Sequence, residues 1–307
     1  METQKKKQWK ADSLLLFATA CWGSSYLLTS LALREIPPIT LSTGRFFLAF
    51  LVICALSFKK IRRVSATTLK YSALVGLTLA ITYLSSTYGM LSTGIDNASF
   101  LCCLTFVFTP VLGFFFKHQI PEKKFYLSIA VTFVGVALLT LNGRFRPRIG
   151  DLLCILCAAA YAVDLLITES AVSKLDVDAY QLGVYSLAAT GLIQLPFAFF
   201  LETPSLPQTA LTWGIVLFLG IVCSGVTLVI QTVQQQYTTA SRAGLIITME
   251  PVFASLIAYL AVGETLSARG TVGAALMLGA MLIMEIPFKS PRRSRLEKAS
   301  FSSGGRK

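Results

Sequence analysis

Apolar residues in this chain come in long blocks rather than at the three-and-four spacing of a half-buried helix. Windows of roughly 20 residues, the length that crosses a hydrocarbon core, recur ten times: 13–33, 39–58, 71–91, 97–116, 125–142, 151–171, 180–201, 211–231, 240–262 and 268–288. The stretches between them are brief, and none is long enough for a soluble domain. The pattern predicts an all-α integral membrane protein with ten transmembrane helices. The first block follows a basic start, METQKKKQWK, and runs on to Leu33 without a small-residue cleavage site. It therefore reads as a retained first helix and not as a signal peptide.

Composition points the same way. Of 307 residues, 54% are hydrophobic and only 14% charged, against roughly 25% charged in a soluble domain. The net charge of +12 would suggest nucleic acid as partner to a soluble protein. Here the basic residues occupy short loops and tails, where they set topology and meet anionic headgroups. The expected partner is the bilayer, with no nucleic acid. With the N-terminus inside, 20 of the 27 Lys and Arg fall in cytoplasmic segments and 5 outside, while Arg45 and Arg242 lie within spans. Both termini are thus predicted to be cytoplasmic, in a plasma or inner membrane. Arg144, Arg146 and Arg148 are the exception to the split. All seven cysteines sit in apolar blocks, as small buried hydrophobes do. Cys154 and Cys157 form a C-x-x-C within a span, but no second pair or histidine accompanies them, so neither metal nor cofactor is expected. The single histidine, His118, reads as a solvated loop residue.

The two halves of the chain resemble each other. Asp12 precedes Trp22 by ten residues, and Asp151 precedes Tyr161 by ten. Pro110 in the fourth span and Pro251 in the ninth lie 141 apart, and the aspartates 139 apart. The agreement implies a duplication of five helices. Because five is odd, the second copy is inserted upside down, the inverted-repeat architecture of many secondary carriers. The expected division is a cytoplasmic segment at 1–12, a first repeat at 13–142, a second at 151–288, and a basic cytoplasmic tail at 289–307.

Several motifs in order carry a family resemblance: Trp22-Gly23, Arg45-Phe46, Thr109-Pro110-Val111, Glu250-Pro251-Val252-Phe253-Ala254 and Gly263-Glu264. Over roughly 12 to 288 the chain resembles the EamA-type branch of the drug/metabolite transporter superfamily. It departs from the family after the fourth span, where Lys117 to Glu122 replace a Gly-Glu ending. The resemblance implies ten helices in two inverted halves, and export or exchange of a small metabolite; some relatives export amino acids.

The polar residues inside the spans are the candidates for chemistry. Glu250 reads in three ways: as an ion-pair partner for Arg45 or Arg242, as a proton site, or as a substrate contact. Arg45 is either the partner of an internal acid or the anchor of a substrate carboxylate. Trp22 and Tyr26 share a helix face, and Tyr161 takes the place of Trp22 in the second repeat, as two walls of one pocket. Tyr83 of the third span joins them. Thr227, Gln231 and Gln235 repeat at four-residue steps, as substrate contacts or as glue between helices. Pro110 and Pro251 mark expected helix kinks. Asp164 and Glu169 lie on different faces of the sixth span, unlike a hydrolytic carboxylate pair. Small residues at Gly76 and Ala80, and at Ala275 and Gly279, permit close packing within one copy or in a homodimer. A carrier of a small polar molecule, an amino acid or related compound, is the favoured function, with protons as a candidate co-substrate. A non-transporting receptor or scaffold is the alternative, with an intramembrane enzyme behind it.

Overall fold

The structure, a computed structural model, describes residues 2–93, 95–117, 123–140, 148–262 and 267–285. Among these the chain forms thirteen α-helices: α1 (Glu2–Ala32), α2 (Pro38–Ile61), α3 (Ala66–Thr93), α4 (Ile95–Cys103), α5 (Thr105–Lys117), α6 (Lys123–Thr140), α7 (Ile149–Val172), α8 (Ala179–Leu201), α9 (Ala210–Phe218), α10 (Thr227–Gln234), α11 (Ala240–Ile247), α12 (Glu250–Val262) and α13 (Ala268–Glu285). A π-helical stretch, Leu219–Val226, joins α9 to α10. His118, Arg144, Arg146, Gly263, Glu264 and the basic tail lie outside the described residues.

Eight of the ten apolar blocks meet helices of crossing length and hydropathy, the broken ones counted whole: Ala98–Phe116, Ala210–Gln234 and Ala240–Ile257 each include a change of winding or a break. The other two, Phe125–Leu139 and Ala268–Ile283, are shorter apolar helices. Charges at Lys123 and Lys124 open the first, and Arg269 and Glu285 bracket the second. The segment 1–12, expected to be cytoplasmic, is helical from Glu2 and continuous with the first span. Trp9, at this end, is 51% exposed, as suits an interfacial ring.

The packing follows a pattern of exchange. α3 packs on α7 and α8, while the π stretch packs on α1 and α2, and α10 also on α1. α1 packs on α11 and α12, while α7 packs on α4 and α5. α2 meets α8, α6 meets α13, and α5 meets α11. Swapping α1 for α7, α2 for α8, α3 for the α9–α10 span, α4–α5 for α11–α12 and α6 for α13 maps each of these pairings onto another or onto itself.

Hydrogen bonds at the two ends repeat the pattern. Ser205 Oγ donates to the Glu35 carbonyl at 3.1 Å; Ser65 Oγ donates to the Asp176 carbonyl at 2.8 Å. Ser65 and Ser205 lie 140 apart, and Glu35 and Asp176 lie 141 apart. Thr209 caps α9 by accepting from the Thr212 N–H, satisfying one orphan donor of the first turn. Ser65 does the same for Thr68 N–H ahead of α3.

Close crossings are made by glycines. A β-carbon on Gly273 would stand 2.6 Å from the Gly135 carbonyl oxygen and 2.7 Å from Leu139 N, so α6 and α13 touch backbone to backbone. Gly76 packs as tightly on Ala189 and Thr190 of α8, an intramolecular use of the expected small-residue face. Gly279 faces open space; the closest approach of α13 is at Gly273, two residues before the expected Ala275–Gly279 pair.

Candidate functional site

The π stretch builds one wall of a central cavity. A π turn holds one residue more than an α turn and is found mostly as single-turn bulges at functional sites. Here two successive residues of that stretch are spent on neighbouring helices. The Cys223 carbonyl accepts from Trp22 Nε1 at 2.8 Å, and Ser224 Oγ accepts from Arg45 Nε at 2.7 Å. Arg45, 5% exposed, lays its guanidinium over the Tyr83 ring at 5.1 Å, and Phe46 meets the same ring edge-on at 4.8 Å. Arg45 Nη2 is buried and has no partner.

The opposite wall is the break between α11 and α12. The chain leaves α11 at Thr248 and starts α12 at Glu250, with Pro251 in its first turn. Proline lacks a donor and is accepted in a first turn, where that donor would be orphaned anyway. Gly23 lets this segment approach α1: a β-carbon there would meet Ala254 N and Phe253 Cβ, each at 2.8 Å. Glu250 therefore begins a helix beside α1 and lines the cavity, with no ion-pair partner within 4.0 Å among the described residues. The charge acting on it is that of Arg45. The matched break in the first half falls at Leu104, and Pro110 sits inside α5 rather than at a helix start. Equal proline positions have thus given unequal breaks.

Between these walls lies a cavity enclosing about 930 Å³ of empty space, the open solvent at its mouth included. Trp22, Tyr26, Arg45, Tyr83, Tyr161 and Glu250 all line it, with hydroxyls of Ser25, Thr29, Thr82, Ser86 and Thr87 between them. Its lining runs up the C-terminal halves of α1 and α3, from buried Trp22 and Thr82 to the half-exposed Thr29 and Met90. Towards the other end the space is filled: Leu15, Phe106, Leu165 and Ile246 are fully buried in one cluster. Beyond them Arg242 Nε and Nη2 both donate to Asp12 Oδ2, at 3.1 and 2.8 Å, joining α11 to α1.

Two expected pocket residues are elsewhere. Gln231 accepts from the Tyr161 hydroxyl at 2.8 Å, and Gln235 Nε2 donates to the Leu165 carbonyl at 3.0 Å. Both are 2% exposed and bind α10 to α7, since that helix, not the cavity, faces their stripe. Glu250 pairs with neither expected cation: Arg242 is bound to Asp12, and Arg45 to Ser224 and Tyr83. Asp164 is buried beneath the site and accepts from Thr78 Oγ1 at 2.8 Å. Cys223, Ser224 and Thr248 were not foreseen. The glycines flanking C-S, Gly220 and Gly225, are the one sequence sign of the π stretch.

The model of the EamA-like transporter family matches this chain twice, over residues 9–141 and 148–286. The protein belongs to the EamA-like transporter family and is a multi-pass membrane protein. An uncharacterized transporter of Archaeoglobus fulgidus is 28% identical over 283 residues, 91% of this chain and 87% of the relative. The uncharacterized transporter YoaV of Bacillus subtilis is 22% identical over 88% of this chain and 92% of its own length. A solved crystal structure superposes with a TM-score of 0.76 at 17% identity, covering 90% of this chain and 96% of that one, which establishes the common fold.

Proposed function

We propose that this protein is a secondary transporter that exports or exchanges a small polar metabolite, an amino acid or related compound, by alternating access between inverted repeats at 13–142 and 151–288. The observation that carries the proposal is the cavity between the halves, lined by polar and aromatic side chains, open at one end and sealed at the other. The twofold family match and the exchange pattern of the packing support the repeats. The charge split supports cytoplasmic termini in a plasma or inner membrane; on that orientation the open end faces outside.

Purified protein in liposomes loaded with one unlabelled amino acid should accumulate the same labelled amino acid by counterflow. In a cysteine-free background, Lys60→Cys should label only from the cytoplasm and Ser205→Cys only from outside. Labelling of position 60 from the outer face would overturn the orientation. Absence of counterflow across amino acids, sugars and organic acids alike would sink the carrier.

A further inference from the structure

Asp164 places a carboxyl group deep in α7, below the cavity. It is 1% exposed, and no cation lies within 4.0 Å of it among the described residues. A carboxylate buried without a counter-ion is costly, and an acid at membrane depth marks a proton or ion path by default. α7 packs on α3, α4, α5, α10 and α11. α3 brings Tyr83 on the cavity wall, with Lys70 and Tyr71 towards its start. α4 brings Asp96 at its start and Cys102 and Cys103 on the cavity, and α5 has no titratable group before its last residue, Lys117. α10 has none, and Arg242 of α11 is held by Asp12. On α7 itself the titratable neighbour is Tyr161, one turn nearer the cavity.

The one hydrogen bond described for this carboxyl can serve two states. Thr78 Oγ1 lies 2.8 Å from Asp164 Oδ1 and 2.9 Å from the Val75 carbonyl oxygen. A hydroxyl has one proton to give and can accept in return. With Asp164 ionised, that proton goes to the carboxylate, and a neutral hydroxyl is what meets the buried charge. With Asp164 protonated, the carboxyl donates to Thr78 and Thr78 donates to Val75, so both bonds are kept and no charge is buried. Further from the cavity, buried polar atoms stand without partners. Thr168 Oγ1 is one turn on along the same face of α7, and Gln235 Oε1 and Thr238 Oγ1 follow the end of α10. Such atoms are places for water, and they lie towards the sealed end.

We propose that Asp164 is a proton-binding site coupled to the seal: it holds a proton while that end is closed, as here, and releases it to water along Thr168 and Gln235 when that end opens. A ligand shifts a two-state equilibrium towards the state that binds it better. The proton favours the sealed state because ionisation needs water at the carboxylate. Its meaning for transport rests on the carrier reading above.

Full-length protein in nanodiscs, free of native cysteines and carrying Leu15→Cys as reporter, tests both parts. The infrared C=O band of an un-ionised carboxyl, taken as parent minus Asp164→Asn, should persist above about pH 4, the ordinary carboxylate value, and vanish on further titration. Over the same range the reporter should label faster from the sealed side than in Asp164→Asn, the ratio rising by up to about tenfold per pH unit, the limit for one linked proton. Taking the ratio cancels the thiol's own titration. Thr78→Val removes the donor to the ionised carboxylate and should move both transitions to higher pH together; it remains informative where Asp164→Asn does not fold. A band lost at the ordinary carboxylate value overturns the proposal, as does a labelling ratio that stays flat or a Thr78→Val protein with unmoved transitions. Both transitions without counterflow of any solute would defeat the carrier alone, and counterflow with a flat ratio would defeat the proton coupling alone.

Discussion

At the end where the cavity opens, Glu35 reaches from the α1–α2 loop and accepts from the N–H groups of Gln208 and Thr209 ahead of α9. At the other end Asp176 reaches from the α7–α8 loop to the start of α3. The two loops are the same device, used once on each side. What the ends do not share, among the described residues, is an ion pair between the halves. Asp12 of α1 is held by Arg242 of α11. Its counterpart Asp151 accepts from Arg148 N at its own helix start, at 2.7 Å, and from the neutral Thr93 Oγ1 of α3 across the halves. The residue 139 before Arg242 is Cys103, a cavity wall without charge. On the carrier reading proposed above, matched end loops with an ion pair at one end only are a simple way to prefer one face.

Breaking this ion pair should have the largest effect. Arg242→Gln leaves Asp12, whose side chain is 6% exposed, without its cation, and removing one partner of a buried pair costs about 3 kcal/mol or more. The melting temperature in nanodiscs should fall, and Asp12→Asn with Arg242→Gln should recover part of the loss. A thiol placed at Leu15 should gain labelling from the sealed side in Arg242→Gln. Unchanged melting and labelling would mean that the apolar plug alone seals that end.

A second, smaller effect tests the equivalence of the halves. Gly135→Ala and Gly273→Ala each force a methyl into the α6–α13 crossing, at 2.9 Å or less from the facing backbone. Overpacking of this kind costs about 1–3 kcal/mol, and the two should destabilise alike in thermal unfolding. Gly279→Ala, which meets nothing, should be neutral or stabilise by up to about 1 kcal/mol through helix propensity. Unequal losses at 135 and 273 would break the symmetry at the point where it is closest.

The smallest effect belongs to the loop caps. Hydrogen bonds, first from the Gln208 N–H and then from Thr212 and Thr209, hold the Glu35 carboxyl below its usual range. A depressed carboxyl adds stability above its unfolded pKa, and that stability is lost as pH falls through the folded value. Acidification from neutral pH to about pH 3 should therefore lower the melting temperature of the native protein more than that of Glu35→Gln. Asp176, also depressed, first by the Thr67 hydroxyl, should behave in the same way in Asp176→Asn. Parallel pH profiles for native and variant proteins would remove the caps from the comparison.

Much of this architecture was legible because hydrocarbon imposes long apolar blocks and tolerates proline only where the backbone is otherwise satisfied. Trp22, Tyr26 and Tyr161 were placed on one cavity by helical spacing and by the 139-residue shift. The partners of the charged residues were not legible. Arg45 meets Ser224 across 179 positions and Arg242 meets Asp12 across 230, and local spacing carries no trace of such pairs. The Gln231–Gln235 stripe shows the limit clearly. Its periodicity said that one face is polar, but which neighbour covers that face depends on how α7 and α10 pack.

The π stretch has a consequence for how such a chain changes by insertion and deletion. One residue in an α-helix corresponds to about 100° of rotation, and the extra residue in Leu219–Val226 is absorbed locally. Deleting a single residue there would restore ordinary winding while leaving the outward and inward faces of α9 and α10 in register. Such a deletion leaves a helix as apolar as before and still able to cross the bilayer. Yet it removes the local winding that offers the Cys223 carbonyl to Trp22 and the Ser224 hydroxyl to Arg45, while Gln231, in α10, keeps its face towards Tyr161. A lineage that lost this one codon would inherit an intact bundle of helices around a cavity with Trp22 and Arg45 cut loose from one wall.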